Sequence, residues 1–206
     1  MNQSQEFYLF FKESLNVDLI NSFKLSDNEY RAGQDKIVDN FLKFKTNGFF
    51  LDVGAHDYRH ISNSFFLEKE RAWSGVAVEI DPSFNQGWEV HRKNTYYINQ
   101  DALTIDYKSV LEKYNSPKLI DYLSIDLDPP ELTLKTLYKI FESNFNFNII
   151  SFEVDYYRDS EVKDKSREFL NNNNYTLVAE LYGGEKSNLI HVDDLWCNNN
   201  YIHNIL

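Results

Sequence analysis

From Phe49 to Val192, short apolar runs alternate with stretches of helical spacing, and that order leaves few folds open. Strand, helix, strand in succession requires crossover connections, hence a mostly parallel sheet covered by helices on both faces. The strand-like runs are Phe49–Val53, Gly75–Glu79, Tyr96–Ile98, Ile120–Ile125, Ile149–Val154, Tyr175–Glu180 and Leu189–Val192. Helical periodicity marks Ser62–Lys69, Ser83–Arg92, Tyr107–Lys113, Leu132–Ser143 and Lys163–Leu170 between them. The last two runs are joined by Tyr182–Asn188, which holds Gly183-Gly184 and is too short for a crossover helix. That pair is expected to be antiparallel. The expected fold is therefore α/β and Rossmann-like: a seven-stranded, mostly parallel sheet with an antiparallel last strand, flanked by helices.

Ahead of the first strand, Phe7, Tyr8, Phe11 and Leu15 recur at helical spacing, and Ile37, Val38, Phe41, Leu42 and Phe44 do so again. Two helices are expected there, with residues 1–46 forming a helical segment packed on a domain of residues 47–206, a single domain overall. The polar tracts Asn171–Asn174 and Asn198–Asn200 read as loop and terminus. One cysteine, Cys197, leaves no internal disulfide and no cysteine-rich metal site, which fits a reducing compartment. No run approaches the ~18 apolar residues of a membrane span, and no leader-like succession opens the chain. A cytoplasmic protein without a membrane span is expected. The net charge of −11 and pI of about 4.9 oppose binding to a phosphate backbone, so no nucleic-acid partner is expected.

Chemistry concentrates where strands end. Gly48-Phe-Phe-Leu-Asp52-Val-Gly54-Ala55-His56-Asp57 is an apolar run closing on an acid, a glycine and a small residue. In doubly wound sheets a ligand sits beyond the carboxyl ends of the strands, and glycine there lets the backbone approach it. Roughly 20 residues further on, an acid at the end of the second strand is placed to hold ribose hydroxyls; Glu79 supplies it. Asp101-Ala102, just past the third strand, is placed to accept from an adenine amino group, or is a surface loop. His56 and Arg59 stand where a pyrophosphate-binding glycine pattern needs glycine. That disfavours a dinucleotide and favours S-adenosylmethionine, whose adenosine and amino acid call for acids and backbone groups.

The stretches Gly33-Gln34-Asp-Lys36, Gly48 to Asp57, Ser62-Asn63-Ser64, Phe66-Leu-Glu68, Trp73-Ser-Gly75 and Val78-Glu79 resemble those of FkbM-type methyltransferases. So do Asp121-Tyr-Leu-Ser-Ile-Asp126, Glu131, Phe152-Glu153 and Val192-Asp-Asp-Leu-Trp196, in the same order. The resemblance implies a class I methyltransferase fold, S-adenosylmethionine as cofactor, and O-methylation of sugars, glycans or polyketide-type hydroxyls. It implies cofactor contacts from Gln34, Asp52, Gly54, Ala55, Asn63, Glu79, Asp101, Ala102 and Asp126. Two positions depart from the family pattern. Tyr58 replaces a common glycine and is expected to crowd the loop beside the methionine end of the cofactor. Asp126-Leu-Asp128-Pro129-Pro130-Glu131 keeps the acids of the fourth-strand motif and loses its glycine, which stiffens the loop and removes N–H donors. The same Asp-Pro-Pro is similar to a motif of nucleic-acid amino-group methyltransferases, but Glu131 stands where a base-stacking aromatic would be needed.

Transfer to a sugar hydroxyl needs a base. Candidates at strand ends are Asp128, His56 and Glu153, with Asp128 favoured and His56 the alternative. Asp126, Asp128, Glu153 and Asp155 could together hold Mg²⁺, which the resemblance does not require. Tyr58, Tyr156, Tyr157 and Trp196 could form a wall against sugar rings. His91-Arg92-Lys93 reads as a basic helix end favourable to the dipole. The expected partner is a small-molecule or glycan acceptor. The competing reading is a catalytically silent binding module that retains the fold, motivated by Tyr58 and the proline pair.

Overall fold

A computed structural model describes residues 8–10, 34–155, 158–185 and 188–202. Its strands are β1 (Tyr8–Phe10), β2 (Phe49–Val53), β3 (Ser74–Glu79), β4 (Thr95–Asn99), β5 (Leu119–Ile125), β6 (Asn146–Glu153), β7 (Tyr175–Glu185) and β8 (Asn188–Asn198). The helices are α1 (Gln34–Phe41), α2 (Phe65–Arg71), α3 (Asn85–His91), α4 (Tyr107–Lys113), α5 (Pro130–Phe141), α6 (Ser160–Asn172) and α7 (Asn199–Ile202). All strands join one sheet in the order β1-β7-β8-β6-β5-β2-β3-β4. Neighbours from β6 through β4 are parallel, whereas β8 runs antiparallel to both β6 and β7. This is a Rossmann-like, seven-stranded, mostly parallel sheet with a reversed last strand, extended by β1 at one edge.

Burial explains the sequence pattern. β2 is buried along its whole length and β5 nearly so, because both faces of a central parallel strand are covered, so they read as continuous apolar runs. Alternate residues serve two cores. Leu123 and Ile125 join Leu51, Val53, Val76 and Leu137 on one face, while Tyr122 joins Phe50, Ile149 and Leu195 on the other. Helix α1 lies over the second core and buries Ile37, Val38 and Phe41 there, as its periodicity predicts.

Two expectations fail at the sheet edge. Tyr8–Phe10 is a strand, with Tyr8 opposite Tyr182, where helical spacing predicts a helix. The open side of β7 offers unpaired backbone groups, and an extended segment satisfies them where a helix does not. The Gly183-Gly184 pair also lies inside a strand: β7 continues to Glu185, and these glycines face Ile190 and Leu189 in the ladder. Among the described residues, no helix is long and apolar enough to cross a membrane.

Strand β2 stands between β3 and β5. The chain builds β3 and β4 on one side and returns to build β5 on the other. Such a reversal opens a crevice beyond the carboxyl ends of the strands.

Candidate functional site

The crevice is framed by backbone bonds that follow from Gly54. Its φ is +79°, and a Cβ built there would stand 1.7 Å from the carbonyl oxygen of Asp126. Only glycine permits that approach. Gly54 and Ala55 both donate N–H to the Val78 carbonyl at 3.0 Å, and Asp126 donates to Val53 at 3.0 Å. The loops after β2, β3 and β5 are thereby held together. Glu79 is nearly buried at the end of β3. Its Oε2 accepts the His56 N–H at 2.9 Å and its Oε1 accepts the Asp81 N–H at 2.8 Å. Each oxygen keeps acceptor capacity for a further hydroxyl. Asp101 is exposed and accepts from the Leu103 N–H at 2.9 Å, with Ala102 buried beside it. His56 is exposed, with φ of 48° and its ring 4.3 Å from that of Phe84.

On the other side of Gly54, acids gather beneath α1. Asp52 is buried and accepts the Ser64 hydroxyl at 2.6 Å; burial pushes its carboxyl up to about 6 against the pull of Ser64 and Arg92. Asp126 and Glu153 are hydrogen-bonded to each other. Burial and the neighbouring Asp126 push Glu153 up to about 11, and burial raises Asp126 as well, so the pair holds a proton at neutral pH. Asp193 lies opposite Glu153 in the ladder, and burial followed by Asp126 pushes it up to about 8. Gln34 Nε2 donates to Asp193 Oδ2 at 2.8 Å, and Asn63 Nδ2 donates to the Ser124 hydroxyl at 2.9 Å. The carbonyl oxygens of both amides are buried without a hydrogen-bond partner. Two unfilled acceptors among carboxyls suit a ligand that brings donors and positive charge.

The rim is different in kind. The Asp128 side chain is 76% exposed and pairs with Arg158 at 2.5 Å; the same guanidinium reaches the buried Asp155 at 3.1 Å. Thr133 pins this loop, its hydroxyl accepting the Leu127 N–H at 3.1 Å and donating to the Leu127 carbonyl at 2.8 Å.

No protein-family model and no curated protein matches the sequence. Solved structures do match. A Klebsiella pneumoniae protein described as an O-methyltransferase superposes with a TM-score of 0.58 at 14% identity, over 84% of each chain. Burkholderia thailandensis 1,6-didemethyltoxoflavin-N1-methyltransferase, solved with S-adenosylhomocysteine, gives 0.52 at 12% identity over 96% of this chain and 97% of its own. An rRNA methylase from Streptococcus thermophilus gives 0.50 at 13% identity over 79% and 94%.

The fold is that of the class I methyltransferases. Within this methyltransferase fold, the crevice brings Gln34, Asp52, Gly54, Ala55, Asn63, Glu79, Asp126 and Glu153 around the ends of β2, β3, β5 and β6. Asp128 and His56 stand exposed at its margin. Sequence reasoning assigned no role to Asp193 or Arg158. An acid inside the apolar run of the last strand was the available signal for Asp193; nothing local pointed to Arg158.

Other sequence expectations need correction. Trp196 is fully buried in the first core and cannot face a sugar. The Tyr58 ring turns onto α3, stacking on His91 at 4.6 Å and lying against Gly87. Tyr156 and Tyr157 lie outside the described residues. Arg92 is no solvated helix end: it is buried, bonded to Glu68 at 2.6 Å and stacked 4.5 Å from the Trp88 ring. For a metal, the described groups whose ligand atoms lie within 4.8 Å of one another are Glu180, His191 and Asp194, not the four acids Asp126, Asp128, Glu153 and Asp155. There the Arg167 guanidinium already spans Glu180 and Asp194 at 2.6–2.7 Å.

Proposed function

We propose that this chain is an S-adenosylmethionine-dependent methyltransferase of FkbM-like type that methylates a hydroxyl of a small-molecule or glycan acceptor, in the first instance a sugar. The observation that carries the reading is the pairing of Gly54 with Glu79. A glycine opens the backbone at the topological switch point, and one strand over, a nearly buried carboxylate keeps acceptor capacity for a ribose diol. The site's chemistry fits the cofactor: Glu79 for the ribose, Asp101 and Ala102 for the adenine, Gly54 and Ala55 as backbone walls. Asp52, Asp126 and the open amide oxygens of Gln34 and Asn63 suit the methionine ammonium. S-adenosylmethionine supplies an electrophilic methyl group on a sulfonium.

This chain's residues then have to orient the acceptor and take its proton. As the acceptor oxygen bonds to the methyl carbon and the carbon–sulfur bond breaks, the hydroxyl proton passes to a carboxylate. We assign that role to Asp128, exposed on the rim beside Arg158, with His56 as the alternative. Glu153 holds a proton with Asp126 and orients rather than accepts. No step requires Mg²⁺. The net charge of −11 favours a small or glycan acceptor over a nucleic acid, and the likeness to an rRNA methylase extends to fold alone.

Calorimetric titration of the full chain with S-adenosylmethionine tests the reading. Saturable binding that weakens in Glu79→Ala supports it. A folded protein that binds neither S-adenosylmethionine nor S-adenosylhomocysteine is the silent binding module instead.

A further inference from the structure

The two asparagine tracts converge in space. At the end of the sheet opposite the crevice, where β5 and β6 begin and β8 ends, lies a pocket of about 390 Å³. Six of its nine lining residues are asparagines: Asn146, Asn148, Asn173, Asn174, Asn198 and Asn200. The single charged residue, Lys118, sends its ammonium over the Phe145 ring at 4.0 Å and to within 3.4 Å of Glu112. In a chain that is 26% charged, a concave surface this neutral is unusual.

We propose that this pocket binds a neutral carbohydrate, as a pyranose ring or the end of an oligosaccharide, independently of the crevice. Each primary amide offers a carbonyl acceptor and two donors in one plane, which matches adjacent sugar hydroxyls that both donate and accept. A cation of similar size meets no counter-charge from the lining, and an anion meets only Lys118. Several of the amides are held in place. Asn198 Oδ1 accepts the Asn200 N–H at 2.9 Å, Asn174 Oδ1 accepts from Asn199 at 3.2 Å, and Asn173 Nδ2 donates to the Phe169 carbonyl at 2.8 Å. Asn148 is 5% exposed, with Nδ2 fixed to Asp121 at 3.1 Å, and its Oδ1 is buried without a partner. That is an unfilled acceptor in the pocket wall, which a ligand hydroxyl satisfies once the side chains covering it move aside. Leu119, 48% exposed, and the half-buried Tyr201 add apolar surface for the C–H face of a sugar ring. The volume lies in the range of small-ligand pockets.

The test titrates the full chain with glucose, galactose, mannose and N-acetylglucosamine, followed by calorimetry and ligand-observed NMR. At least one sugar is expected to bind saturably with a millimolar or tighter constant. Asn146→Ala/Asn200→Ala removes two exposed amides and is expected to weaken that binding about tenfold or more, with the melting temperature unchanged. If the double variant melts early, the two single variants carry the comparison. Glu79→Ala and added S-adenosylmethionine should leave the sugar affinity as it is. The proposal is overturned by absence of saturable binding up to tens of millimolar, or by affinity that survives loss of both amides. It is equally overturned by competition with S-adenosylmethionine, which would put the sugar in the crevice.

Discussion

At position 54 a single hydrogen atom separates a working crevice from a steric clash. The backbone there has φ of +79°, and a Cβ would meet the Asp126 carbonyl at 1.7 Å. Gly54→Ala is expected to cost about 2–5 kcal/mol through backbone strain and overpacking, measured by urea unfolding, and to weaken S-adenosylmethionine binding. Glu79→Ala removes a carboxylate hydrogen-bond partner, so in protein shown by circular dichroism to be folded, cofactor affinity should fall by about 1.5–3 kcal/mol in calorimetry. Unchanged affinity takes Glu79 out of the site. Asp128→Asn should lower turnover about 100- to 10,000-fold with cofactor affinity unaltered. Near-normal turnover with a competent sugar acceptor would make Asp128 merely the partner of Arg158. Gly54 and Glu79 were legible because each follows an apolar strand at a telling distance. The carbonyl that forbids a side chain at position 54 was not, since it lies far along the chain, just past β5.

At the scale of elements, α2, α3 and the loop before α2 are joined through one buried guanidinium. Arg92 Nε bonds Glu68 Oε2 at 2.6 Å and Nη2 bonds the Ser64 hydroxyl at 3.0 Å, which passes on to Asp52 at 2.6 Å. Thr95 adds a second donor to Glu68 at 2.5 Å. Burial opposes the charge on Glu68, but Arg92 and Thr95 outweigh it and hold the carboxyl below its ordinary range. Arg92→Leu leaves that carboxylate buried and unpaired, and is expected to cost about 3–5 kcal/mol; Arg92→Leu/Glu68→Leu should recover most of the loss. Urea midpoints of the two variants measure this. A double variant no more stable than the single one would mean that the network, rather than the stranded charge, holds these elements. The basic triplet ending α3 suggested a solvated helix end. A helix end has several sides, and only packing against α2 turns Arg92 inward.

Across the whole molecule, the acids under α1 make stability depend on pH. Asp193 is pushed up to about 8, Asp52 to about 6 and Glu153 to about 11, chiefly by burial. Each binds its proton more tightly when folded than when unfolded. Stability is therefore greatest at mildly acid pH and declines as pH rises from about 4 through 8 and on toward 11, where the unfolded chain has released protons that the folded one still holds. Asp193→Asn should flatten part of that decline, read from denaturant midpoints across the range. A profile that rises toward pH 8 would show these acids to be compensated in the native protein. Glu68 works in the opposite sense, its contribution being lost as pH falls through its lowered pKa, so the acid limb should turn down.

The amino-acid sequence by itself determined the order of strands and helices, the reversal of the last strand and the places where the backbone opens. Those properties reside in neighbouring residues: apolar runs long enough to be buried on both faces, a connection too short for a crossover, a glycine and an acid at strand ends. Tertiary structure decided what comes together from distant segments. Asp193 meets Glu153 because β8 inserts beside β6 in an antiparallel register, and Tyr8–Phe10 is extended because β7 presents an open edge. Arg158 comes between Asp128 and Asp155, and two asparagine tracts that read as loops line one pocket. Periodicity reports which face of an element is buried. It carries no information on which distant side chain lies across from it, and that pairing places the acids, the ion pairs and the pocket.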